Sequence, residues 1–461
     1  MAKQLRLNVF QMNTPSHSWA GLWRHPRDQS RRHVTLDYWT ELAKTAERGL
    51  FDGIFIADGL GFYDVYEGST DAALATGAQA PSCDPLLVVP AMAAVTQNLG
   101  FGLTANLTYE NPYQFARRFS TLDHLTQGRV GWNIVTGYLK STALGMGQQK
   151  VREHDQRYEA GDDFLDAVYK LWEGSWEDGA LNAQAGPGEP YVDVSKVHRV
   201  QHDGPYYKVD GVHLSQPSPQ RVPVLYQAGT SGRGKQFAGR HAECVFLNGQ
   251  TPAIVAQAVR DIRAQAVAQE RRAEDVQVFL GATVIVAPTR AEAEALRDEY
   301  ARYIDPVGQL ALLSGWTGID LSRQGLDEPV GFVKTNSLQS MVENITVRSE
   351  RPLTPRDLIG FDGIGGRGPF IVGSPADVAD GMLDWLDRTD VDGFNLMRVV
   401  QPESLDAFVD LAVPELQRRG RYKTAYDSGT LREKLFPGRG PWLPAQHPAA
   451  SHRRTPEASE K

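Results

Sequence analysis

Residues 222–247 read VPVLYQAGTSGRGKQFAGRHAECVFL. The apolar run 222–227 has the length and composition of a buried strand. A turn of small residues follows, and residues 235–241 then take helical spacing. Cys244, Val245, Phe246 and Leu247 form a second apolar run. Strand, helix, strand in so short a span is the signature of a parallel crossover unit. The same rhythm extends in both directions. Strands are predicted over residues 5–10, 53–56, 100–104, 130–135 and 393–397, and within 276–286. Helices fall between them. Leu36, Trp39, Leu42, Ala43 and Ala46 share one helical face that stops at Gly49. Further helices are expected over 85–95, 115–125, 158–172 and 405–418, the last kinked by Pro414. Ser374 is a predicted N-cap, with Pro375 in the first turn and Asp377 three residues on. Eight strands predict an α/β fold of the (β/α)8, or TIM-barrel, class. An open doubly wound sheet is the alternative.

The expected organisation is one barrel domain over residues 1–436, with insertions at 14–33, 59–82, 174–221 and 288–368, followed by a loosely held tail at 437–461. Three insertions follow strands, so they belong on the catalytic face of a barrel. Residues 288–368 carry their own helix at 290–303 and are a candidate lid. The tail is rich in Pro, Ala, Ser and His. Hydrophobic content of 41% and charged content of 23% describe a globular chain. Its net charge of -8 argues against a nucleic-acid partner. No apolar run reaches the ~18 residues that span a membrane, and the first residues do not read as a secretory signal. Only Cys83 and Cys244 are present, too few for a disulfide framework or a zinc site. A cytoplasmic protein without metal is expected.

The turn at 228–234 is the clearest site signal. A helix start presents backbone N–H groups and a positive dipole end to an anion. Ser231 adds a hydroxyl and Gly232 permits close approach. Residues 229–235, GTSGRGK, come near a triphosphatase loop, but Gln236 stands where Ser or Thr must bind magnesium. A monophosphate is the better ligand, and a plain glycine-rich turn the alternative. Residues 363–368, GIGGRG, fit a dinucleotide fingerprint, yet the glycines precede the apolar run PFIV instead of following a strand. No other nicotinamide site is offered. His154 and Tyr158, four apart at a helix start, can both donate to phosphate or form an ordinary surface pair. Asp58 ends a predicted strand, as a functional carboxylate or a loop cap. Thr104 ends the next strand, and Asn133 lies within the fourth, where burial demands partners. Phe10, Phe55 and Phe246 can line a pocket or fill a core. No general base, metal cluster or catalytic triad stands out.

At these residues the chain resembles the flavin-dependent monooxygenases of the bacterial-luciferase superfamily, in the branch that acts on nitrilotriacetate and dibenzothiophene sulfone. AGLWRHP, AERGLFDGIFIADGLG, RRFSTLDHLTQGRVGWNIVT, EHDQRYE, VLYQAGTSGRGKQFA, VGSPADVAD and DGFNLM carry the likeness, from about residue 5 to residue 420. DGLGFYDVYEGSTDAAL, YKLWEGSWEDGA, LSGWTGIDL and VDGFNLMRVVQPES are similar to members of that branch that oxidise dimethyl sulfide. The resemblance implies a luciferase-like barrel that takes reduced FMN from a separate NAD(P)H:flavin reductase. It implies oxygenation of a small organosulfur compound through a peroxide at flavin carbon 4a. Dimethyl sulfide, giving methanethiol and formaldehyde, is the best guess, with a sulfone, an aminopolycarboxylate or another thioether as alternatives. Asp58 and Thr104 are then expected beside the flavin ring, with Asn133 close by. His154, Tyr158, Ser231 and Gly232 are expected at the phosphate, and Phe10, Phe55 and Phe246 in the substrate pocket. A homodimer or homotetramer is implied. A deazaflavin-dependent relative and a non-catalytic flavin-binding subunit are the rival readings.

Overall fold

A computed structural model describes residues 3–454, apart from 230, 334, 336, 347–352, 362–363 and 365–367. Eight parallel strands close into a barrel: β1 Arg6–Met12, β2 Gly53–Ala57, β3 Gly100–Asn106, β4 Val130–Val135, β5 Val224–Gln227, β6 Cys244–Leu247, β7 Gln277–Val286 and β8 Gly393–Met397. Closure is explicit in the register. Cys244 pairs with Gln277, Gly393 with Phe279, and Arg6 with Gly393. The open-sheet alternative is therefore excluded. The strands are buried on both faces, which is why they read as continuous apolar runs.

Strand β7 is longer than its neighbours because, besides β6, it serves two more partners in succession. Its lower half pairs with β8, and its upper half pairs with an added parallel strand, Phe370–Gly373. That strand is the PFIV run. The GIGGRG segment before it lies mostly outside the described residues. The helical segment Glu403–Arg418 changes to a π-helical turn, Phe408–Ala412, just before Pro414. Proline has no N–H to continue the ladder, and the wider turn absorbs the defect.

The barrel interior is plugged from below. The short helix Leu431–Leu435 sends Leu431 and Leu435 into one cluster with Phe55, Tyr226 and Phe279. Beside it, Arg432 and Glu243 form a fully buried ion pair. The chain beyond 436 departs from the expected loose tail. Leu443, His447 and Ala449 are buried, and Arg453 pairs with both oxygens of the buried Glu173 at 2.7 Å. A buried carboxylate needs a counter-ion, and the tail supplies it. The barrel unit therefore runs through Arg454 among the described residues.

The 174–221 insertion braces the outside, where Val200–Asp203 and Lys208–Gly211 pair as a hairpin against the helix His154–Gly174. The other three insertions gather over the C-terminal ends of the strands. Among them, 288–368 contributes the helices Arg290–Ala301, Pro306–Thr317, Gln339–Thr346 and Pro355–Phe361.

Candidate flavin and substrate cavity

A cavity of about 400 Å³ opens over the C-terminal ends of the strands. Asp58, Thr104, His154, Tyr158, Ser231, Phe10 and Phe246 all line it, although they lie far apart in the chain.

One end is polar. Ser231 caps the helix Gly232–His241 and accepts a hydrogen bond from the Gly234 N–H at 3.0 Å. His154 and Tyr158 face it from the first turns of His154–Gly174, and the His154 Nε2 lies 3.5 Å from the Ser231 Oγ. The other ring nitrogen of His154 is 2.8 Å from Asp155. Tyr158 is buried, and burial raises its hydroxyl pKa against the opposing pull of Arg157 and Ser231. Two glycines keep this corner open. A Cβ at Gly229 would meet the Tyr158 hydroxyl at 3.1 Å, and one at Gly234 would meet it at 3.0 Å. Gly232, the first helical residue, has open space where a side chain would stand, but it is not in the cavity wall. Sequence reading missed Arg157 on the same helix turn. It lines the cavity, and its buried guanidinium donates to the Gly137 carbonyl.

The middle of the cavity is set by strand ends. Asp58 follows β2 directly. Burial, reinforced by the negative charge of Asp84, pushes its carboxyl up to about 7. Thr104 accepts a hydrogen bond from the Asn133 Nδ2 at 2.8 Å. The Thr104 hydroxyl lines the cavity and keeps its own proton to donate. Asn133 is not in the cavity wall; it pairs in register with Thr104 on the neighbouring strand, and its buried Oδ1 has no hydrogen-bond partner among the described residues. Gln227, at the end of β5, lines the cavity, and its buried Oε1 has no hydrogen-bond partner among the described residues. Phe55 needs correction. Its ring packs 5.5 Å from both Phe10 and Tyr226 and 5.9 Å from Phe246, in the filled barrel interior under the cavity floor. Alternation in β2 turns Phe55 inward, but strand tilt sets its depth.

The far end is a roof. Leu313 and Trp316 come from Pro306–Thr317, Met341 and Ile345 from Gln339–Thr346, and Leu358 from Pro355–Phe361. A hydrogen-bonded relay ties this roof to the two shorter insertions. The Trp316 indole donates to the Tyr63 hydroxyl at 3.0 Å, Tyr63 donates to the Gln79 Oε1 at 2.8 Å, and the Gln79 Nε2 donates to the His17 carbonyl at 2.7 Å. Tyr63 and Trp316 lie in segments that carry the family likeness, but nothing in the sequence joins them to Gln79 and His17. Their signal is spatial, created where three insertions converge. Among the described residues no group of His, Cys, Asp and Glu is placed to hold a metal, and no helix is long and apolar enough to cross a membrane.

Residues 17–392 match the family described as luciferase-like monooxygenase. The dimethyl-sulfide monooxygenase of Hyphomicrobium sulfonivorans is 47% identical, covering 98% of this chain and 94% of that protein. The long-chain alkane monooxygenase of Geobacillus thermodenitrificans is 44% identical over 98% of this chain and 99% of that one. Among solved structures, a riboflavin lyase crystallised with modified FMN and riboflavin superposes with a TM-score of 0.92 at 38% identity, covering 98% of this chain and all of that one.

Proposed function

Because the chain belongs to the luciferase-like monooxygenase family, we propose that it is the oxygenase component of a two-component system that uses reduced FMN made by a separate reductase. The observation that carries this reading is the polar corner where Ser231, His154 and Tyr158 meet at a helix start, opening onto a cavity at the strand ends. That corner fits a phosphate monoester in charge, in donors and in the space its glycines leave. The unpartnered acceptor of Gln227 and the hydroxyl of Thr104 fit the N–H and carbonyl groups of a flavin ring. Bound reduced FMN would supply the electrons that activate O2 for transfer of one oxygen atom.

The chain's residues have separable tasks in this proposal. Ser231, His154 and Tyr158 anchor the phosphate. Thr104, oriented by Asn133, and Asp58 address the ring. Asp58 retains its proton to near neutral pH and can donate it within the cavity. The roof excludes water from the reacting atoms. Its Leu, Met, Ile and Trp side chains also favour a small neutral apolar substrate. Dimethyl sulfide is the proposed substrate, with an alkane as the second reading because the same lining suits both. The decisive assay supplies reduced FMN from any reductase and measures O2-dependent loss of dimethyl sulfide, a linear alkane, a sulfone and an aminopolycarboxylate. Turnover of the sulfide or alkane is expected. No turnover across the panel, or turnover only with a deazaflavin, would overturn the proposal.

A further inference from the structure

Asp162 lies behind the cavity wall, one turn after Tyr158 on the same face of His154–Gly174. Its two oxygens reach opposite ends of the helix Gly232–His241. Oδ2 accepts from Arg233 in the first turn, and Oδ1 accepts from the His241 Nε2 at 2.8 Å in the last. Arg240 approaches Oδ1 at 3.5 Å from the more exposed side. His241 is buried, and desolvation lowers its pKa against the pull of Asp162, which favours the neutral ring. A carboxylate only accepts, so Nε2 carries the ring proton and Nδ1 accepts from the Tyr169 hydroxyl at 3.1 Å. Arg233, held by Asp162, places its guanidinium 5.6 Å from the Tyr158 ring centroid.

One carboxylate therefore ties both ends of one helix to the other. The start of His154–Gly174 carries His154 and Tyr158, and Ser231 caps Gly232–His241. We propose that Asp162 is the positioning residue of the phosphate corner, an inference that rests on reading that corner as the FMN phosphate site. Asparagine at this position still accepts from one partner but turns its NH2 toward another donor, so one end of the Gly232–His241 helix is released. Hydrogen bonds to a phosphate depend steeply on distance and angle. A small rotation of that helix then weakens FMN while leaving the ring contacts in place.

The test is a comparison of ligands that differ only in the phosphate. Wild type, Asp162→Asn and Ser231→Ala are titrated with oxidised FMN and with riboflavin, with the thermal midpoint recorded for each. Wild type is expected to prefer FMN. Asp162→Asn should lose about tenfold in FMN affinity with riboflavin unchanged, the scale of one charge-assisted hydrogen bond. A purely structural carboxylate would lower the thermal midpoint and leave the FMN-to-riboflavin ratio as in wild type, and that result overturns the inference. If Asp162→Asn does not fold, His241→Phe keeps the ring volume and cuts the Asp162 tie farthest from the phosphate, together with the Tyr169 hydrogen bond behind it. The same selective loss, smaller in size, is then expected, and an unchanged ratio again overturns it. If wild type shows no preference for FMN and Ser231→Ala changes nothing, the phosphate reading fails first and takes this inference with it.

Discussion

At one end of the cavity three polar side chains, His154, Tyr158 and Ser231, meet from two helix starts. At the other, His17, Tyr63, Gln79 and Trp316 arrive from three insertions and join a ceiling of Leu, Met and Ile. The polar end sits on barrel elements whose spacing the sheet enforces. The roof sits on segments held to the barrel by a few hydrogen bonds and by their own apolar cluster of Leu312, Leu313, Trp316 and Val342. The contrast divides the labour. Anchoring a charged group calls for rigid donors, whereas admitting and sealing in a small apolar molecule calls for elements that can part and close. Asp58 stands where the two halves meet, and its behaviour reports on both.

The largest expected effect therefore belongs to Asp58. The folded protein holds its carboxyl proton to about pH 7, above the 3.8 of the unfolded chain. Its contribution to stability is fully present below pH 4 and is lost as pH rises toward 7. Asp58→Asn removes that loss. The variant should be more stable than wild type by on the order of 2–4 kcal/mol at pH 8, with allowance for partial exposure of the site, and the gap should narrow toward pH 5. Thermal or urea unfolding of the flavin-free protein at the two pH values checks this. A gap independent of pH would mean that Asp58 is as well solvated as a surface carboxylate.

Next in size are the phosphate-end substitutions. Ser231→Ala and His154→Ala should each weaken FMN binding by roughly 1–3 kcal/mol, the cost of a lost hydrogen bond to a charged group. Neither should change the selectivity among apolar substrates. Ser231 also caps its helix, so this variant should lose about 1 kcal/mol of stability as well. Fluorescence titration with FMN, set beside unfolding curves, separates the two consequences. Unchanged FMN affinity in both variants would remove the polar corner from the flavin site and dissolve the comparison.

The same contrast explains what could be read without coordinates. All eight barrel strands were legible because a strand covered on both faces is a short apolar run between turns, as in VLYQ, CVFL and GFNLM. The phosphate corner was legible because its parts are local: Ser231 sits on one strand–turn–helix, and His154 and Tyr158 are one helical turn apart. Phe55 was misplaced for a geometric reason. Periodicity gives the side of a strand that a residue faces, but not its depth in a tilted barrel. The roof relay was invisible because Tyr63, Gln79 and Trp316 lie in separate segments, and nothing local shows that they meet. The tail was misjudged for a similar reason. Its composition is that of a disordered segment, yet Leu443, His447 and Arg453 each fill a need created elsewhere: Arg453 at Glu173, and His447 at the His241 carbonyl.

The smallest expected effect probes the roof alone. Trp316→Phe keeps an aromatic ring at the ceiling but removes the indole N–H that holds the Tyr63 hydroxyl. One hydrogen bond of this kind is worth about 0.5–1.5 kcal/mol, or roughly a two- to tenfold rise in KM for an apolar substrate. FMN affinity should not change, because the relay does not touch the corner at His154 and Ser231. The pairing of this variant with Ser231→Ala is the sharpest form of the comparison. If anchoring and sealing are separate, each variant moves one constant and the double variant shows the product of the two effects. If Trp316→Phe weakens FMN binding as well, the roof and the phosphate corner are coupled through Asp58 and the ring site, and the two ends of the cavity work as one element.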